Sequence, residues 1–181
     1  MKFTSTLIKG KLIKRYKRFF VDIKVNNSTL TAHCPNTGSM MGLLEEGNDV
    51  WISKSDNPNR KLKYTLEIIK AKKNLVGVNT HRANRIVEHG LKNEIFKEFK
   101  SIKSIKPEFK FTSDTRFDFL CDKTIIEVKN VTLTRNRSLA EFPDAITSRG
   151  SKHLIKLIDS ISKGYKPFVL FLTQIQGINN F

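Results

Sequence analysis

The strongest constraint on the fold is a change of hydrophobic period at about residue 80. Before it lie short runs suited to strands: Leu7 to Ile13, Phe19 to Val25, Thr29 to Cys34, Asp49 to Ser53, Leu62 to Ile69 and Leu75 to Val78. Turn-forming clusters separate them, among them Asn26-Asn27-Ser28, Pro35-Asn36-Thr37-Gly38, Glu46-Gly47-Asn48 and Asp56-Asn57-Pro58-Asn59. Five or six short strands and no long helix, within about 80 residues, predict a small β-barrel of the OB type.

From about His81 the apolar residues Ile86, Leu91, Ile95, Phe96 and Phe99 recur near helical spacing, which predicts a helix over Asn84 to Lys100. Strand candidates follow at Glu108 to Phe111, Thr115 to Leu120 and Thr124 to Val131. A second helix is marked by Leu154, Leu157, Ile158 and Ile161, and a buried strand by Pro167 to Thr173. The order αβββαβ ends in a strand, a helix and a strand, the spacing of a right-handed parallel crossover. The expected architecture is therefore α+β / α/β: an OB-like domain over residues 1–80 and an α/β domain with a mixed sheet over 81–181.

Charge narrows the partner. Of the 181 residues, 33 are Lys or Arg and 17 are Asp or Glu, a net charge of +16. Both halves share the excess, with net +9 over residues 1–80 and +7 over 81–181. A basic domain of this size suits a polyanion, nucleic acid before an anionic membrane. No apolar run approaches the ~20 residues that cross a bilayer, and the first ten residues lack a signal-peptide core. A cytoplasmic, reduced protein is expected. Cys34 and Cys121 lie far apart with no CxxC partner, and His33 and Cys34, being adjacent, project to opposite faces of a strand, so neither a disulfide framework nor a zinc site is indicated.

The segment Arg116-Phe117-Asp118-Phe119-Leu120-Cys121-Asp122-Lys123-Thr124-Ile125-Ile126-Glu127-Val128-Lys129 carries the chemistry. Taken as a hairpin turning at Asp122-Lys123, it pairs Cys121 with Thr124 and sets Asp118 opposite Glu127. Alternation then places Asp118, Glu127 and Lys129 on one face, with Phe117, Phe119, Ile126 and Val128 on the other, core-facing one. Two carboxylates directly across a strand pair, with Cβ atoms about 4.5–5.5 Å apart, repel unless a cation lies between them. Mg²⁺ suits the place, because it takes one or two carboxylates and leaves positions for water and phosphate oxygens. Lys129 could then hold or deprotonate a water on the ion, or stabilise charge on a phosphorane. The plainer alternative is a solvated strand face on which Lys129 neutralises one acid.

Two other groups of cations are candidates for DNA contact. Lys14-Arg15-Tyr16-Lys17-Arg18-Phe19-Phe20 interleaves cations and aromatics, so that Arg15, Lys17 and Arg18 could neutralise phosphates on the barrel. Arg149, Lys152 and His153 lie near the start of the second helix, after a long polar loop, where α/β sheets place ligand contacts.

Asp118 followed by Glu127-Val128-Lys129, within an αβββαβ order, resembles the core of PD-(D/E)xK nucleases. The segments Arg15 to Phe19, His33 to Met40, Val78 to Thr80, Asn84-Arg85, Arg116 to Phe119 and Phe142 to Leu154 together resemble the sugar fermentation stimulation protein A family over most of the chain. That resemblance implies an N-terminal OB-like domain, a C-terminal nuclease-like domain, DNA binding and a link to regulation of sugar use. It also implies a helical acid completing the site, with Glu88 and Glu94 as candidates and Glu88 preferred, and further helical sequence in the family beyond the point where this chain stops.

These readings converge on a DNA-binding protein with a nuclease-like, Mg²⁺-dependent site. The competing readings are a non-catalytic, nonspecific DNA-binding regulator of sugar metabolism genes, and an RNA-binding OB module with a structural α/β partner, which leaves Asp118, Glu127 and Lys129 without a purpose. No helix-turn-helix signature offers a reading head, so binding is expected to be mostly nonspecific.

Overall fold

The structure is a computed structural model of the chain that describes residue 3 and residues 5–136, 138–145 and 147–181. The chain forms two compact units.

In the first unit, β1 (Ile8–Tyr16), β2 (Phe20–Val25), β3 (Ser28–His33), β4 (Asp49–Lys54), β5 (Tyr64–Ala71) and β6 (Asn74–Gly77) form one sheet in the order β3-β2-β1-β4-β5-β6. A parallel pairing of His33 with Thr65 joins β3 to β5, so five strands close on themselves in the OB order. Alternation explains most of the interior, where Leu12, Val21, Ile23, Ala32, Val50 and Ile52 are buried, and a register shift between β4 and β5 lets both Leu66 and Ile69 join them. Gly10 is required by close approach of the strands, since a Cβ there would lie 2.5 Å from Ile23 Cγ2 and 2.8 Å from the Lys24 carbonyl oxygen.

The chain is not divided by a single cut after residue 80. Val131–Ala145 and Thr173–Phe181 belong with the barrel, where Val131, Ala140 and Ile175 join its buried cluster. Ile175 bridges to Val76, and the Gly77 N–H donates to the Gln174 carbonyl. These segments are irregular, so no period betrays where their few apolar residues pack.

The second unit comprises Arg82–Asn130 and Ile146–Leu172. Its elements are α1 (Thr80–Lys92), β7 (Ile105–Lys110), β8 (Arg116–Cys121), β9 (Thr124–Val131), α2 (Ser148–Asp159) and β10 (Lys166–Thr173), the αβββαβ order expected. The sheet runs β10-β9-β8-β7, with β7, β8 and β9 antiparallel. The Lys166 N–H donates to the Lys123 carbonyl at the start of β9 and the Gln174 N–H to that of Val131 at its end, so β10 is parallel to β9 and the sheet is mixed.

The first helix is shorter than its period suggests. It ends at Lys92, Glu94 takes a left-handed φ of 52°, and the Ile95 N–H returns to the Gly90 carbonyl. The Phe96 ring then folds onto Gly90, where a Cβ would stand 2.5 Å from its Cε2. Phe99 follows in a separate 3₁₀ turn.

Both faces of the sheet are covered. Phe119, Cys121, Ile126 and Val128 pack with Val87 and Leu91 of α1, while Phe117 and Ile125 pack with Leu157 of α2. The expected grouping of Phe117 with Phe119 is therefore corrected. Near Asp118 the ladders on both sides are interrupted: β7–β8 pairing skips Asp118 and Glu108, which has a φ of 51°, and β8–β9 pairing stops at Phe119 with Ile126. On α2 only Leu157 is buried, and Leu154 and Ile158 remain exposed.

Candidate active site

The site grows from the β8–β9 hairpin. Cys121 pairs with Thr124, Leu120 with Ile125 and Phe119 with Ile126, around a turn in which Asp122 takes a φ of 51°. The Asp122 carboxylate accepts hydrogen bonds from the N–H groups of Lys103 and Ser104, which fixes the turn. Beyond Phe119 a side chain replaces the backbone ladder. Asp118 Oδ2 accepts from the Val128 N–H at 2.7 Å, and Oδ1 accepts from Asn84 Nδ2 of α1, also at 2.7 Å.

Glu127, next to Val128, is 6% exposed. Its Oε1 accepts from Lys129 Nζ at 2.6 Å and from His153 Nδ1 at 3.1 Å. The carboxylate can only accept in that contact, so His153 carries its hydrogen on Nδ1. The His153 ring stands edge-on to Phe117 at 6.2 Å. Burial, and then the negative charge of Glu127, push the Asp118 carboxyl above the ordinary aspartate range, while the Val128 N–H, Asn84 and Lys129 oppose the shift. The charge of Glu127 therefore reaches Asp118, although the backbone pairing expected to set them opposite each other ends one pair earlier, at Phe119 with Ile126. The two acids are not exposed strand positions, since α2 covers Glu127.

The carboxylates supply the hard oxygen donors that magnesium or calcium prefers, and a cation between them would relieve the conflict that Asp118 records. The fit is to an ion with few protein ligands. Among the described residues no three His, Cys, Asp or Glu side chains gather as a ready-made ligand set. Glu88 is engaged by an ion pair with Lys92 one turn on, at 2.6 Å, and Glu94 is exposed beyond the helix end. Asn84, one turn before Glu88 on α1, donates to Asp118.

The cationic candidates separate. Arg149 and Lys152 line an open cleft of about 600 Å³ with Lys156, His153 and Asp114, at the start of a helix capped by Thr147 Oγ1, which accepts from the Gly150 N–H. His153 lies in that cleft wall and on Glu127 at once, so its role is wider than phosphate contact. On the barrel, Lys17 and Arg18 occupy a turn, with φ of 47° and 63°, and are exposed. Arg15 is committed elsewhere, donating to the carbonyls of Arg18 and Asn36 at 3.0 and 2.8 Å. Asn84 and His153 both stand in segments singled out from the sequence, but their partners Asp118 and Glu127, 34 and 26 positions away, left no local signal.

Comparison with known proteins divides the chain near residue 80. Residues 13–78 match the SfsA N-terminal OB domain and residues 81–181 the sugar fermentation stimulation protein RE domain. A sugar fermentation stimulation protein homolog of Pelagibacter ubique is 63% identical over all of this chain and 80% of its own length. One from Maricaulis maris is 42% identical over 96% of this chain and 77% of its own. The structure of Pyrococcus furiosus SfsA in complex with Ca²⁺ superposes with a TM-score of 0.88 at 21% identity, over 100% of this chain and 79% of that one. The chain belongs to the sugar fermentation stimulation protein family.

Proposed function

We propose that this protein binds DNA, mostly without sequence preference, and that the β8–β9 hairpin carries a divalent-cation-dependent site for phosphodiester cleavage. The observation that carries the reading is the convergence of two acids, one of them buried, with Asp118 pushed upward by burial and then by the charge of Glu127. The Ca²⁺ in the Pyrococcus furiosus relative supports a divalent ion in this fold, and the net charge of +16 supports a polyanionic partner.

Asp118 and Glu127 would hold the ion, Mg²⁺ in this reading, and when bound it supplies Lewis acidity to the phosphoryl group. The chain's own groups do the rest. The Val128 N–H and Asn84 fix the rotamer of Asp118, and His153 fixes Glu127. Lys129 brings a positive charge to the place where a phosphate would gain negative charge. Arg149, Lys152 and Lys156 offer the backbone of the strand cationic contacts along the adjoining cleft.

A second reading, a DNA-binding regulator that does not cleave, is favoured by the contact of Lys129 with Glu127, which neutralises that acid without any ion. Plasmid nicking with and without Mg²⁺, beside calorimetric Mg²⁺ titration, separates the two. Magnesium-dependent nicking that is lost in Glu127→Gln, with DNA binding kept, is the expected result. Absence of metal binding removes the site, and metal binding without nicking selects the regulator.

A further inference from the structure

The outer face of the barrel carries a second arrangement of interest. In β4, Val50 and Ile52 are fully buried, so Trp51 between them faces outward, half-buried. It is the only tryptophan of the chain. Lys9 lies opposite it on β1, with Nζ 5.5 Å from the ring centre. A bulge between Leu12 and Lys14 adds one residue to β1. Consequently Lys9 and Lys11 before it, and Lys14 and Tyr16 after it, all face outward.

Across the β1–β2 pair, Lys11 stands opposite Lys24 and Tyr16 opposite Phe20. The Tyr16 and Phe20 rings stack at 5.4 Å and 13°, and Lys14 Nζ lies 5.7 Å from the Tyr16 ring. Two acids share the face: Asp49 pairs with Lys9 and Lys11, and Asp22 accepts from Tyr16 and Thr31. Four lysines against two aspartates leave the lane cationic. Residues 9 to 16 span about 20 Å at roughly 3.3 Å per residue, room for about three or four nucleotides.

We propose that this lane, from Trp51 across Lys9, Lys11, Lys24 and Lys14 to Tyr16 and Phe20, binds single-stranded DNA, with the lysines on phosphates and the rings stacked on bases. The charge selects a polyanion, and the rings select one whose base faces are open, which a duplex hides. This rests on the DNA-binding part of the reading above and is independent of the carboxylate site.

The lone tryptophan makes the lane directly readable. In EDTA, an oligo(dT) of about 12 nucleotides should quench Trp51 emission saturably, while a duplex of equal length leaves it nearly unchanged. Lys11→Gln with Lys14→Gln, both exposed, should weaken oligo(dT) binding about tenfold and lower the log–log salt slope by roughly 1–2. Trp51→Phe, which keeps a ring, should bind within a few fold of wild type. Labelled oligo(dT) that binds by anisotropy without changing Trp51 emission overturns the proposal, as does equal quenching by duplex, or no binding of oligo(dT). Oligo(U) bound tenfold tighter than oligo(dT) overturns the assignment to DNA. Duplex binding and Mg²⁺-dependent nicking, measured on the same variants, report separately on the broader reading.

Discussion

Lys129→Met tests the carboxylate site most directly. Lys129 Nζ lies 2.6 Å from Glu127 Oε1, with side chains 19% and 8% exposed, so the pair is largely withdrawn from water. Removing one partner of such a pair costs about 3–5 kcal/mol, because the remaining charge is left buried. Here His153 still bonds Glu127 and one acid can take up a proton, which places the loss near the lower bound, about 3 kcal/mol. For a chain of this size that is a fall in Tm of about 6–12 °C.

The pH dependence has a definite sign. A carboxyl held above its ordinary range binds its proton more tightly folded than unfolded, so stability is lost as pH rises from the ordinary aspartate value through the raised one. Asp118 is already such a group, and loss of Lys129 should steepen the trend. Thermal melts across pH measure it.

Mg²⁺ supplies the decisive comparison. In Lys129→Met the charge of Glu127 acts on Asp118 without the lysine to oppose it, so at a hundredfold excess over its dissociation constant the ion should restore about 2.7 kcal/mol. Adding Glu127→Gln removes the conflict, so the double variant should melt higher than Lys129→Met alone and ignore Mg²⁺. A single-variant loss below about 1 kcal/mol, or equal Mg²⁺ effects on the single and double variants, refutes the electrostatic account.

His153→Ala should weaken Mg²⁺ binding by calorimetry, since it loosens Glu127, whereas Arg149→Gln with Lys152→Gln should lower the salt slope of DNA binding and leave Mg²⁺ affinity unchanged. Arg15→Ala should destabilise by about 2 kcal/mol through its lost bonds to two carbonyls and leave the salt slope unaltered, while Lys17→Ala with Arg18→Ala should lower that slope without changing Tm. Burial raises both thiols, that of Cys121 to about 11, so a thiol reagent at neutral pH should label neither until unfolding exposes them.

The barrel was legible because its strands alternate and its turns are punctuated, and the start of the hairpin because two turn residues fix its first three pairs, from Cys121 with Thr124 to Phe119 with Ile126. What stayed hidden depends on contacts distant in sequence or on local irregularity. Val131, Ala140 and Ile175 complete the barrel from segments without period. Gly90 reads as a weak point of one long helix, yet it is where the Phe96 ring packs after the chain has turned back. Phe117 leaves the face that alternation assigns it at the point where the Asp118 carboxylate takes the Val128 N–H. Arg15 reads as a surface cation, but its partners are carbonyls that only the folded turn and loop present.

The contact of Asn84 with Asp118 bears on what the site can hold. A third acid beside Asp118 and Glu127 would leave two net negative charges after Lys129, and a divalent ion would only neutralise them. Asn84 instead donates to Asp118 without adding charge, so two acids and one lysine leave a single negative charge. A divalent ion turns that into a single positive one, which matches the one negative charge of a phosphodiester. Asn84 reaches Asp118 where the β8 ladder is interrupted and the Asp118 carboxylate takes the Val128 N–H.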